Sequence, residues 1–253
     1  MAGGHQEVDL RAVSAACDEP LVREFYDGVL VPSFPPDELG EPWWIDCRGD
    51  AEKGSRTILA IGKHRSVLGG IVGELFSGSG VLLISWLAVR PDTRGQQIGT
   101  RLMERAAAEW YGQPSCQLVV GEIDDPRYWP STRQDPVDRL RFYDRFGVRA
   151  LCRPYFQPSV GPGFAPVPHM LLACFDPAAP AVRSPDVVDG QVVRSFIEEY
   201  LRSSAVLCGR VGPNVEDRWL LGFYDGSDIP LVPLLEYERI PDPDPPGLGS
   251  RES

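Results

Sequence analysis

The stretch "LAVRPDTRGQQIGTRLMERAA", Leu87–Ala107, decides the fold. It reads as the end of a buried strand, a turn at Pro91, a charged glycine-bearing loop, and the start of an amphipathic helix. Upstream, "VLLISWLAV" (81–89) is a continuous apolar run of strand length, as expected for a strand covered on both faces. Downstream, Ile98, Leu102, Met103, Ala106 and Trp110 fall on one stripe, with Arg101, Glu104, Arg105 and Glu109 opposite. A loop that enters a helix presents unpaired backbone N–H groups, and the helix dipole adds partial positive charge. With Arg94 beside it, the natural guest is a pyrophosphate.

The neighbouring pattern limits what the loop is. No GK[ST] follows, so it is not a Walker loop, and GxGxxG is absent. "RTILAIG" (56–62) and "SVLGGIVGELF" (66–76) precede it as strands, and "SGSG" (77–80) is a turn. "CQLVVGEI" (116–123) is a further strand and "PVDRLRFYDRFG" (136–147) a helix with Asp135 as cap and Gly147 as stop. "VRALCRPYF" (148–156) and "HMLLACF" (169–175) read as two more strands. The order β-β-β-α-β-α-β-β predicts a mixed α/β sheet, largely antiparallel, and not a doubly wound one. Before it, 18–30 has helical spacing with Asp18 as cap, and "PDEL" (36–39) suits one helical turn.

These segments resemble the GNAT superfamily of acyl-CoA-dependent N-acyltransferases. Val89–Arg90–Pro91 matches that family's strand end, and Arg94 and Gly99 match its [Q/R]-x-x-G-x-[G/A] loop, with Gln97 standing where a glycine is usual. "RLRFYDRFGVRAL" (139–151) is similar to the family's FYxxxGF junction, with Val148 in place of the aromatic. The resemblance spans about 20–175. It implies a GNAT-like central mixed, mostly antiparallel sheet flanked by helices. It also implies acetyl-CoA or another short acyl-CoA as co-substrate, no metal, and an opening between strands beside Leu87, Ala88 and Val89 that takes the pantetheine arm. Arg94, Gly95, Gln96, Gln97, Gly99 and Thr100 would hold the pyrophosphate. Tyr143 matches the tyrosine that protonates the departing sulfur, and Glu122 is the first candidate for the base, with Glu74 second. Gln97, lying inside a good helix pattern, is expected to be helical. A non-catalytic acyl-CoA sensor or scaffold with the same fold is the alternative.

Other residues carry weaker expectations. Asp124 and Asp125 would select a cationic amine or merely be solvated, and Trp43 and Trp44 would wall the acceptor site or anchor the N-terminal segment. His169 is expected to start a strand, and Glu198 and Glu199 to form a solvated helix face.

Composition bounds the rest. The chain has 253 residues and a formal net charge of −11, which disfavours nucleic acid and suits a cationic small-molecule amine. Six cysteines without a CxxC pair read as reduced and buried, which with the absence of a basic, apolar leader predicts a cytoplasmic protein. No apolar run reaches membrane-spanning length. Domains are expected at 1–180 (the acyltransferase), 181–240 (a C-terminal helical extension packed on the core) and 241–253 (a disordered tail). The extension would cover the core or mediate a homodimer.

Overall fold

A computed structural model describes residues 8–40, 55–129 and 136–248. Ten strands form one sheet: β1 (Asp9–Val13), β2 (Ser55–Ile61), β3 (Val67–Phe76), β4 (Val81–Val89), β5 (Leu118–Asp124), β6 (Arg149–Leu151), β7 (Met170–Cys174), β8 (Val182–Ser184), β9 (Val187–Val188) and β10 (Ile229–Pro233). Their order is β1-β2-β3-β4-β5-β7-β6-β10-β9-β8. Every neighbouring pair is antiparallel except β4 with β5. The mixed, mostly antiparallel sheet read from the sequence is therefore present, with helices on its faces.

The helices are α1 (Ala15–Phe25), continued by a π-helical turn Tyr26–Leu30, α2 (Pro36–Leu39), α3 (Ile98–Trp110), α4 (Pro136–Asp144), α5 (Gly190–Leu207) and α6 (Val215–Phe223). The apolar stripe of α3 is buried as its spacing predicts, each large side chain contributing roughly 1.5–3 kcal/mol. The first helix begins earlier than expected. Ser14 caps it, accepting from the Cys17 N–H, while Asp18 instead binds the Arg11 guanidinium at 2.7 Å.

One inserted residue organises the middle of the sheet. Val72 pairs with Trp86, but Gly73 pairs with Ile84, so Ser85 is an extra residue in β4. A bulge inverts which face each following side chain takes. Before it, Leu82 and Ile84 face α3, while Val81 and Leu83 face α5 and α6. After it, Leu87 and Val89 face α3, while Trp86 and Ala88 pack under α1. β5 has no bulge: Val119 and Ile123 face α3, and Leu118 and Val120 face α5.

The C-terminal third is not purely helical. β10 adds to the sheet beside β6, and α5 and α6 cover its second face. The strand expected over 148–156 is only Arg149–Leu151; Pro154 interrupts it, and residues 152–156 leave the sheet. Within the expected tail, the described residues 241–248 make contacts: Asp242 binds the His169 ring at 3.1 Å. Among the described residues no helix is long and apolar enough to cross a membrane.

Candidate active site

The parallel pairing of β4 and β5 stops early. Its register runs from Val81–Leu118 to Ile84–Gly121 and goes no further. Beyond that point β4 stays bonded to β3, and β5 to β7. The facing edges of the two strands thus separate, leaving backbone groups at Leu87–Val89 without a strand partner on that side. Such an edge is a ready partner for the amides of an extended ligand. The bulge at Ser85 sits at the apex of this split, and its hydroxyl is buried without a hydrogen bond among the described residues.

A slot of about 520 Å³ opens there. Leu87, Ala88, Val89, Arg94, Gly95, Gln97, Gly99 and Thr100 all line it, as the sequence led us to expect. Gln96 does not. The sequence reading of Gln97 as helical is wrong: the residue has φ 61° and ψ 14°, left-handed, and α3 begins only at Ile98. The chain turns sharply from Thr93 into α3, and Gly95, at φ 79°, and Gln97 both take left-handed geometry to make that turn. For Gln97 this costs on the order of 1 kcal/mol. Left-handed residues in a tight turn are what build a concave cradle of N–H groups for an anion. Among the described residues no side chain caps the first turn of α3, which leaves its N–H groups open to a ligand. The Arg94 side chain is exposed and has no ion-pair partner among the described residues.

α4 closes the other side of the slot. It contributes Arg139, Phe142 and Tyr143, and Arg145 follows. The two arginines were not picked out from the sequence. Their signal was there, since positions 139, 142 and 143 share a helix face. Tyr143 packs edge-on against Phe142 and Phe175. Burial pushes its phenol above the ordinary value, so it stays protonated at neutral pH.

Glu122 follows from the alternation of β5. It lies on the same face as Leu118 and Val120, away from α3, and so meets the residues that left the sheet after β6. The Tyr155 hydroxyl donates to its Oε1 at 2.6 Å. Burial raises the Glu122 carboxyl to about 7, against the Tyr155 hydrogen bond, which lowers it; the charge of Glu74 raises it further. Glu122 and Ser85 line the slot and also a second cavity, of about 180 Å³, on the opposite side. Glu38, Glu74, Trp86, Glu199 and Tyr200 border that second cavity.

The remaining expectations resolve unevenly. Asp124 pairs with Arg139 at 2.6 Å and Asp125 with Arg127, and neither borders the second cavity. They do not act as a cation filter there, because each is already neutralised by an arginine. His169 precedes β7 as expected, buried and stacked on Tyr128, away from both cavities. Glu198 is a surface residue paired with Arg194. Glu199 is not solvated: it binds the Gly78 and Ser79 N–H groups and the Ser79 hydroxyl. Trp43 and Trp44 lie outside the described residues. The five described cysteines are unpaired, and none borders either cavity.

Known proteins were compared with this chain by sequence family and by fold. The acetyltransferase (GNAT) domain family matches residues 54–149. A protein described as a GNAT-family acetyltransferase from Bacteroides thetaiotaomicron superposes with a TM-score of 0.50 at 21% identity, over 66% of this chain and 85% of its own. Another so described, from Desulfovibrio desulfuricans, has a TM-score of 0.46 at 17% identity, over 68% of this chain and 100% of its own. No protein of curated function matches. The stretch 54–149, which includes the split β4–β5 pair and the loop into α3, is what matches the acetyltransferase (GNAT) domain family.

Proposed function

We propose that the protein is an N-acyltransferase that moves an acetyl or other short acyl group from acyl-CoA to the amine of a small molecule, by direct attack in a ternary complex. The observation that carries this reading is the meeting of two cavities at Glu122 and Ser85. The slot suits an extended thioester: backbone edges at Leu87–Val89 for amides, and the Arg94–Thr100 cradle for a pyrophosphate. Acyl-CoA supplies an activated carbonyl and a thiolate leaving group. The smaller cavity suits the acceptor, and its size favours a compact amine over a folded protein segment.

The residues at the junction divide the proton work. An amine must lose its proton to attack, and a carboxylate that titrates near neutrality is matched to that task. Glu122 takes the proton. Tyr143, held neutral by burial, donates to the departing sulfur, whose basicity is close to that of a phenol. The Ser85 hydroxyl, without a hydrogen bond among the described residues, lines both cavities and is free to donate to the developing oxyanion.

The test is a panel of small amines with acetyl-CoA, following free thiol. Thiol release that depends on the amine is expected, falling 10²–10⁴-fold in Glu122→Gln. A rise in melting temperature with acetyl-CoA, but no thiol release with any amine, would favour the sensor reading.

A further inference from the structure

We infer that the C-terminal extension is a working part of the catalytic site, and that Tyr200 of α5 acts with Tyr155 as a positioning residue for the Glu122 carboxylate. This rests on Glu122 being the base. Residues 190–207 lie beyond the stretch matched by the family model, yet they supply one wall of the acceptor cavity.

Two anchors fix that wall. Glu199 clamps the β3–β4 turn through the Gly78 N–H at 3.0 Å, the Ser79 N–H at 2.8 Å and the Ser79 hydroxyl at 2.8 Å. About one helical turn on, the buried Ser204 hydroxyl donates to the Ser159 carbonyl at 2.7 Å. Tyr200 lies between these anchors. Its ring packs on Phe76 at 5.3 Å and Phe196 at 5.7 Å, which limits it to one direction. Tyr200 lines the same cavity as Glu122 and lies near enough to favour the charged carboxylate, while the Tyr155 hydroxyl donates to Glu122 directly. Both phenols are held far above their ordinary range by burial, and so both remain donors.

Among the described residues, the groups that shift Glu122 are Glu74 on β3, Tyr155 after β6 and Tyr200 on α5, and Glu38 and Glu199 border the same cavity. Glu74 works against ionisation, and the two hydroxyls work for it. The charged form therefore depends on donors that the extension and the 152–156 segment bring in. The Tyr155 donor and the packed Tyr200 ring beside it hold the carboxylate in one orientation, as a base that takes one defined proton requires.

The experiment reads Glu122 directly in the full-length protein, without an acceptor. The protein is labelled at glutamate side-chain carbonyls, and the Glu122 signal is identified by its loss in Glu122→Gln. In the wild type it should titrate near 7. In Tyr200→Phe, and likewise in Tyr155→Phe, its midpoint should rise by roughly one pH unit, since a donor to the charged form is gone. With an accepted amine, the acidic limb of kcat/KM should move up by the same amount, while acetyl-CoA affinity stays unchanged. An unmoved midpoint in Tyr200→Phe overturns the role of the extension. If Glu122→Gln keeps wild-type turnover, the base reading itself fails, whatever Tyr200 does.

Discussion

At the scale of single residues, Arg94 and Gln97 make opposite bets about the cradle. Among the described residues the Arg94 guanidinium has no ion-pair partner to lose, so Arg94→Ala should leave the melting temperature of the free protein within about 1 °C. It should weaken acetyl-CoA binding about tenfold or more, by removing a charge-assisted contact to phosphate. Calorimetric titration reads both, and undiminished affinity would take Arg94 out of the site. Gln97 is held left-handed, so Gln97→Gly relieves strain and keeps the N–H: affinity should be retained and stability kept or raised by up to about 1 kcal/mol. Gln97→Val puts a branched side chain at positive φ and should cost about 1–2 kcal/mol. The position of Gln97 was legible in the sequence and its backbone was not. A glutamine is a good helix former, and only the turn imposed by Thr93, Gly95 and the fixed start of α3 forces it the other way. Glu122 was legible because alternation along "LVVGEI" puts it with Leu118 and Val120. Its partners Tyr155 and Tyr200 were not, since each arrives from a distant segment.

At the scale of elements, strong periodicity was readable and pairing was not. The spans of β3, β4, α2 and α3 follow from apolar runs and glycine or proline punctuation close to where the sequence places them. β1, "DLRAV", has a mostly exposed pattern and exists because it completes the edge beside β2. The Ser85 bulge left no signal in an all-apolar run, because inversion of facing is invisible when both faces are buried. α5 depends on a close approach at its first residue. A methyl group added at Gly190 would lie 1.7 Å from the Ser227 carbonyl oxygen, a backbone atom that cannot swing aside. Gly190→Ala should therefore lower stability by about 3 kcal/mol or more, visible in urea unfolding. It should also reduce turnover more than acetyl-CoA binding, because α5 walls the cavity proposed for the acceptor and not the slot. Equal losses in both would argue against that division.

At the scale of the whole molecule, one core under α3 and another under α5 and α6 sandwich a sheet in which the parallel β4–β5 pair comes apart where the two cavities meet. The extension was legible as a separate stretch of chain, but not as a wall of the site. Its strand β10 and the contact of Asp242 with His169 tie it to the sheet through residues far apart in sequence. That assembly buries the Glu122 carboxyl, and burial has a consequence for stability as well as for catalysis. The folded protein holds this group at about 7 against an ordinary 4.5. Below the lower value the carboxyl is protonated in both folded and unfolded chains and leaves stability unaffected. Between the two, the unfolded chain releases its proton first, so stability falls as pH rises through this window. The full loss, at most about 3 kcal/mol, is reached above the folded value. Glu122→Gln, which cannot ionise, should match the wild type in denaturant unfolding near pH 4.5 and exceed it near pH 8. Turnover should run the other way, rising through about pH 7 in the wild type as the proposed base loses its proton, and staying low and flat in the variant. A variant no more stable than wild type at pH 8 would mean the carboxylate is solvated. The two tyrosine hydroxyls would then have no buried charge to hold.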